Sequence, residues 1–278
     1  MPSEKSIKAE LFDLEQTLAS GQVFRCKRIG DRYFVCRRDK LFWLRQRGDN
    51  LEFGGAGEKL VRRFLGLDDD LAGTLKRLGR IRPIRHAIRA CRGLRIVRYD
   101  PWECLVSFIC SARSNIPKIT RSLNMMSKML GTPIACDGRS DYAFPEPGSL
   151  SDAGLLRKTG IGYRAEYLAR ADRLCSDSSL KSIARVSYPA AREELKKLPG
   201  VGDKVADCVC LFSLGFREAF PVDVWVARAM RELFPGCGEN EREIRRSAAE
   251  IFGPDAGYAQ QYLFHYRRLL AGKAAPSL

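Results

Sequence analysis

LPGVGDKVADC, residues 198–208, decides how this chain is read, together with FPVDVW at 220–225. The residues before Pro199 close one helix, Pro-Gly-Val-Gly forms a tight turn, and a second helix opens at Asp203. Gly200 and Gly202 can take positive φ, and their missing side chains leave room for a phosphate oxygen to approach the backbone. The positive end of the second helix adds to that attraction. Lys204 therefore stands beside a docked phosphate, and Asp223 follows at the start of a later helix. A purely structural helical hairpin would use the same turn, so the turn by itself leaves both readings open.

The rest of the composition favours a polyanion. The 278 residues carry 48 Lys+Arg against 33 Asp+Glu, a formal charge of +15. Neutralising phosphates with such a surplus releases condensed counterions, so nucleic acid is the expected partner. With 45% hydrophobic residues the chain can fill two or three compact cores. The ten cysteines form no CxxC pair and no regular spacing, which argues against zinc and iron–sulfur ligation. They read as reduced, mostly buried thiols of an intracellular protein. MPSEKSIKAELFDLEQ lacks an apolar signal core, and no apolar run approaches the roughly 20 residues of a membrane span, so no membrane partner is expected.

Outward from the hairpin, the chain changes character once. QVFRCKR, RYFVCR, LFWLRQ and LEF, between Gln22 and Phe53, read as four antiparallel strands separated by turn residues. Four strands cannot bury both faces unaided, so a helix or a further domain is expected over one side. After Gly57 the periodicity is helical throughout. DPWECLVSFICSARS has Asp100 as N-cap and Pro101 in the first turn, and it is apolar nearly all round, as a core helix would be. TPIACDGRSDYAFPEPGSL reads as a long Pro/Gly-containing connection. The expected class is α+β: an N-terminal antiparallel sheet domain over 1–84, a helical lobe of 85–131 plus 250–278, and a hairpin-bearing catalytic lobe over 132–249.

Lys204 and Asp223 suit one chemistry in particular. A neutral lysine amine attacks carbon, and burial or neighbouring cations lower its pKa towards that state, whereas DNA phosphates oppose the shift. A carboxylate at a helix start can stabilise a developing sugar cation and shuttle protons, and serve as an N-cap as well.

At this point the residues resemble a known family. LPGVGDKVADC with the later PVD is similar to the helix-hairpin-helix glycosylase signature, in which the lysine marks bifunctional members. SGQVFRC (Ser20–Cys26), DPWECLVSFICSARSNIPKIT (Asp100–Thr120), GIGYRAEYL (Gly160–Leu168) and GYAQQYLF (Gly257–Phe264) resemble, in that order, segments of the 8-oxoguanine DNA glycosylases. The resemblance covers roughly residues 10 to 270 and implies a two-lobed helical fold with an N-terminal sheet domain.

It also implies an activity. An oxidised base would be flipped from duplex DNA, as chemistry on a stacked base requires. Lys204 would attack the anomeric carbon, release the base and form a Schiff base, and β-elimination would nick the strand without a metal or organic cofactor. Asp223 would assist proton transfer. Oxidised guanine carries a hydrogen on N7, so a fixed carbonyl, by resemblance that of Gly21, would attract it and repel guanine. Gln260 and Phe264, four apart on one helix face, would bond and stack on the base, with Cys208 over its other face and the Pro221 carbonyl beside it.

Tyr163 and Arg164 resemble the pair that wedges into the stack and reads the opposite cytosine. Three positions depart from the family pattern: Arg113 and Lys118 replace an asparagine and an arginine on the opposite-base side, and Trp225 replaces a phosphate-contacting histidine. The expected protein is a monomer working on duplex DNA in the cytoplasm or nucleoid of a prokaryote, or the nucleus of a eukaryote. A related glycosylase for another lesion, a monofunctional alkylbase enzyme included, and a non-catalytic hairpin module are the alternatives.

Overall fold

The computed structural model describes residues 4–272. Residues 1–3 and 273–278, assigned above to the sheet domain and the helical lobe, lie outside them. Strand β1 (Lys5–Lys8) and helix α1 (Leu14–Ala19) precede β2 (Cys26–Ile29), β3 (Arg32–Arg37), β4 (Lys40–Arg47) and β5 (Asn50–Gly54). Helices α2 (Glu58–Phe64), α3 (Leu71–Leu78), α4 (Arg85–Ala90), α5 (Pro101–Ser111) and α6 (Ile116–Leu130) follow. A hairpin, β6 (Pro133–Cys136) and β7 (Arg139–Tyr142), leads to α7 (Ala153–Arg157), α8 (Arg164–Leu174), α9 (Asp177–Ile183), α10 (Tyr188–Lys196) and α11 (Asp203–Val209). Helices α12 (Val224–Leu233), α13 (Glu241–Phe252) and α14 (Ala256–Leu270) complete the described chain.

The sheet has five strands in the order β1-β5-β4-β3-β2, all antiparallel. Sequence periodicity misses β1, whose KSIK pattern buries only Ile7. It also starts β2 too early: Gln22 to Arg25 are not strand, because Gln22 spends its side chain on the turn before it, bonding the Thr17 and Arg95 carbonyls. Val35, Phe42, Leu44, Leu51 and Phe53 alternate onto the inner face and are fully buried. Phe64 of α2 closes over them, edge-on to Phe42 at 5.7 Å.

The outer face is covered too. Phe34, Cys36, Leu41 and Trp43 pack under Ile134 and Cys136 of the β6–β7 hairpin, which lies within the stretch read from sequence as a connection. Arg32 adds its guanidinium 4.0 Å from the Trp43 ring centre. Four-residue strands with one inward side chain give too weak an alternation to be legible.

Helix α5 is the axis of the molecule. Asp100 caps it by accepting from the Trp102 and Glu103 amides, Pro101 fills its first turn, and Trp102 to Cys110 are buried without interruption. It packs against α6, α8, α9 and α11. Glu103, fully buried within it, accepts hydrogen bonds from Tyr99 (2.9 Å) and the Arg38 amide (2.7 Å), and pairs with the buried Arg25 at 3.5 Å. Burial raises the Glu103 pKa despite these partners. One apolar core runs from Ile7 in the sheet to Leu263 in α14, so sheet and helices are packed as a continuous body. All ten cysteines are buried and free. Among the described residues no helix is long and apolar enough to cross a membrane.

Candidate active site

The hairpin forms as its spacing predicts. Gly200 has φ +81°, and a Cβ there would stand 2.8 Å from the Tyr167 side chain, so both conformation and packing require glycine. Gly202 has φ −95° and ψ −174° as the N-cap of α11. An N-cap is extended, and any residue reaches that region. What surrounds Gly202 is open space, with nothing within 4 Å of where a Cβ would stand, in front of the free amides of the α11 start.

Behind the hairpin lies a buried charge network. Asp207 accepts from Tyr188 Oη (2.8 Å), Arg192 Nε (2.9 Å) and Arg245 Nε (2.8 Å), joining α10, α11 and α13. Burial pushes its carboxyl pKa up while the two guanidiniums pull it down. Because three elements converge on this one residue, the first turn of α11 has a fixed orientation.

Lys204, in that first turn, is half-buried. Its Nζ donates to Ser111 Oγ at 3.0 Å and sits 5.0 Å from the centre of the Phe108 ring. Ser111 in turn donates to the Phe108 carbonyl at 2.7 Å, so the last turn of α5 holds the amine in place. Cys208, one turn further along α11, is buried and its thiol is pushed up to about 12 by burial, with Lys204 acting in the opposite direction. It is therefore a neutral packing surface at physiological pH. Helix α11 runs on into a π-helical turn, Cys210–Leu214, ended by Gly215 at φ +89°.

Asp223 caps α12, accepting from the amides of Trp225 and Val226 at 2.9 Å each. Burial raises its carboxyl pKa above the ordinary 3.8, and those two amides, Lys204 and Arg268 all work against the rise. Both cations thus lie within electrostatic reach of the carboxylate. Pro221, just before it, is buried.

The third component comes from α14 and the turn after α1. Gly21 has φ +80°, and a Cβ there would stand 3.1 Å from Ile116 Cδ1, 3.2 Å from Phe264 Cε1 and 3.4 Å from Arg268 Nη1. Gly21 and Phe264, far apart in sequence, are therefore neighbours. Gln260 is 4% exposed and its Oε1 has no hydrogen-bond partner among the described residues. An unmade bond at such a depth costs about 1–3 kcal/mol.

Four residues that sequence reading did not single out hold this arrangement: Ser111, Asp207, Gln261 and Arg268. Gln261 donates to the Ser20 carbonyl at 2.9 Å and Arg268 to that of Ala19 at 3.1 Å, both fixing the Gly21 turn onto α14. Arg268 also covers the Phe264 ring at 5.5 Å. Ser111 and Gln261 lie inside or beside motifs already noticed, but a polar residue's partner in a distant segment leaves no local mark.

The residues that the resemblance assigns to the opposite-base side lie around the start of α8 and the 112–113 turn. Tyr163 is 55% exposed at the start of α8. Arg164 is 5% exposed; its guanidinium donates to the carbonyls of Ala112 (2.7 Å from Nε), Ile161 (3.0 Å) and Arg113 (3.1 Å), and lies 4.7 Å from the Tyr163 ring centre. In this conformation it acts as a strut for the 112–113 turn. Arg113, at the tip of that turn, has φ +50°, a strained position for a residue with a side chain. Lys118 is exposed near the start of α6, and Trp225 is half-buried beside Asp223.

Residues 6–105 match the family model for the N-terminal domain of 8-oxoguanine DNA glycosylase, and 187–212 match the helix-hairpin-helix motif. The chain is 34% identical over 278 aligned positions to the N-glycosylase/DNA lyase OGG1 of Arabidopsis thaliana, covering 90% of this chain and 76% of the relative. It is 35% identical to the probable N-glycosylase/DNA lyase of Methanothermobacter thermautotrophicus, over 66% of this chain and 67% of that one. Among solved structures, Clostridium acetobutylicum 8-oxoguanine glycosylase/lyase, in complex with duplex DNA containing cytosine opposite 8-oxoguanine, superposes with a TM-score of 0.91 at 32% identity, covering 98% of each chain. The 3-methyladenine DNA glycosylase of Archaeoglobus fulgidus shares the fold, with a TM-score of 0.81 at 17% identity over 96% of this chain and 99% of that one.

Proposed function

The chain belongs to the helix-hairpin-helix family of 8-oxoguanine DNA glycosylase/lyases, and from that membership we propose how its own residues carry out the two steps. It is a base-excision repair enzyme that removes 8-oxoguanine from duplex DNA and cleaves the abasic site left behind. The observation that carries the residue assignment is Lys204 Nζ, held by Ser111 above Phe108 with the Asp223 carboxylate in electrostatic reach.

The duplex backbone docks on the hairpin amides around Gly200 and Gly202, and the damaged nucleotide turns out of the stack. Its base enters between Phe264 and Cys208. The Gln260 amide bonds its Watson–Crick edge, the Gly21 carbonyl accepts from N7–H, and the Pro221 carbonyl lies beside it. With one proton removed, Lys204 Nζ attacks C1′. The C–N glycosidic bond breaks, its electron pair leaves with the base, and the base takes up a proton. Asp223 stabilises the positive charge that spreads over C1′ and the ring oxygen, and relays the protons.

The C1′ amine adduct then opens the sugar to an iminium. Loss of a C2′ proton to a base expels the 3′ phosphate, completing β-elimination with atoms and charge in balance. Ser111 is the positioning residue for the amine. The protein works as a monomer inside the cell, in the compartment that holds the genome. Neither a monofunctional alkylbase glycosylase nor a non-catalytic hairpin module needs a lysine at 204 together with Gln260 and Phe264.

Borohydride trapping tests the assignment. Incubation with a duplex containing 8-oxoguanine opposite cytosine, followed by reduction, should yield a covalent protein–DNA adduct that peptide mapping places on Lys204. Binding without a trapped adduct would overturn the lyase mechanism.

Opposite-base discrimination is expected to be weak. Lys118 is a point charge without a planar fork, and Arg164 is engaged with backbone carbonyls, so neither offers cytosine a bidentate partner in this conformation. In matched duplexes, the single-turnover preference for cytosine over the other three bases should be smaller than in a relative with arginines at both positions. Equal or stronger preference would refute the idea.

A further inference from the structure

Residues 71–99 carry nine Lys/Arg and no Asp or Glu. Within this stretch Arg82, Arg85, Arg89 and Arg92 recur at spacings of three and four, Arg82 in a 3-10 turn (Arg82–Ile84), Arg85 and Arg89 in helix α4, and Arg92 in the turn that follows it. Arg85 and Arg89, four apart, share one face of α4. Ile84, Ala87 and Cys91 form the other face and are buried. All four arginines are exposed, as are Lys76 and Arg80 nearby.

Some exposed arginines of this chain are paired with carboxylates, Arg77 with Asp255 and Arg157 with Glu166, while others, such as Arg63, Arg121 and Arg139, are in no ion pair among the described residues. Among the described residues, none of the four ridge arginines has a carboxylate within about 4 Å, the reach of an ion pair. Arg85 Nε donates to the Gly79 carbonyl at 2.7 Å, and Arg89 Nη2 lies 3.3 Å from His86 Nδ1. Like charges three and four apart on a helix repel, by about 0.2–0.5 kcal/mol per pair. Among the described residues, therefore, no carboxylate offsets the charge of this ridge at ion-pair distance, and an anionic partner would do so.

The ridge is not part of the pocket. Helix α4 packs against α14, and Tyr262 of α14 donates to the Leu94 carbonyl, just past α4, at 2.9 Å. Tyr262 lies two positions from both Gln260 and Phe264, which puts it roughly on the opposite side of α14 from those pocket residues. We propose that the Arg82-Arg85-Arg89-Arg92 ridge is a second DNA-binding surface, which takes the phosphate backbone of undamaged duplex outside the lesion site. Four exposed cations within this short segment suit a run of backbone phosphates. Contacts of this kind carry no sequence information and serve search along DNA.

The test is the fourfold variant Arg82→Gln/Arg85→Gln/Arg89→Gln/Arg92→Gln in the full chain. Affinity for a long undamaged duplex should fall about tenfold or more near 0.1 M salt, and the slope of log affinity against log salt should shrink by about three to four. Single-turnover excision at saturating enzyme should stay within about twofold of wild type, and the melting temperature should hold or rise as repulsion is removed. An unchanged affinity and slope would overturn the proposal, as would a change seen only with an acidic protein. Excision falling at saturation with an unchanged melting temperature would also overturn it, by placing the ridge in the lesion site. Should the fourfold variant fail to fold, Arg89→Gln/Arg92→Gln carries the same test with about half the change in slope. Undamaged-duplex affinity is read without excision, so it stands or falls separately from the catalytic assignment.

Discussion

Lys204→Gln is expected to abolish the borohydride-trapped adduct and to lower 8-oxoguanine release by at least about 10³-fold, with duplex affinity retained or slightly increased. The glutamine amide has no nucleophilic lone pair, so the covalent route is closed rather than slowed. The substitution leaves untouched the buried Asp207 anchor that joins α10, α11 and α13, so the hairpin is expected to keep its form. The separation of the two readouts is what matters. A variant that binds damaged duplex, melts like wild type and neither traps nor excises identifies Lys204 as the nucleophile. Excision and trapping at wild-type rates would assign the chemistry to another amine.

Asp223→Asn should slow base release by about 10²–10⁴-fold, the range of a positioned acid–base group, while binding changes little. Asn caps a helix as well as Asp, so the amides of Trp225 and Val226 keep their partner and α12 keeps its start. Loss of rate then reports charge and proton transfer, not a frayed helix. The effect on stability has the opposite sign. Burial raises the Asp223 pKa above its ordinary 3.8, so folding favours the protonated acid. That contribution is fully present below the unfolded value and is lost as pH rises through the folded one. At neutral pH the wild type holds an ionised carboxylate at a cost, and the Asn variant should melt at the same temperature or higher. Single-turnover excision by the wild type should climb with pH as Asp223 ionises, and that limb should be missing from the variant. An unchanged excision rate would remove Asp223 from the mechanism.

What is legible locally depends on how each residue acts. The Asp100 and Asp223 caps, the buried α5 helix and the Gly200 turn follow from side chains acting on their own backbone within a few positions, and each takes the expected form. Gly202 takes a conformation different from that of Gly200, because glycine is equally at home in an extended N-cap and a left-handed turn. The β6–β7 hairpin escapes notice because its strands are short and half-exposed, and the Trp43 face they cover belongs to a sheet that α5 and α6 separate from them in sequence.

By itself, the sequence determined the helix-hairpin-helix with its lysine, the aspartate at the start of a later helix, the basic charge and the family, because motif spacing and composition are properties of the chain. Only the tertiary structure decided that Ser111 holds Lys204, that Gly21 meets Phe264 on α14, that Gln260 keeps an unbonded oxygen at depth and that Arg164 braces the 112–113 turn. Each of these depends on segments brought together by burial of one shared core, and a side chain's choice among distant partners is made only when that core has formed.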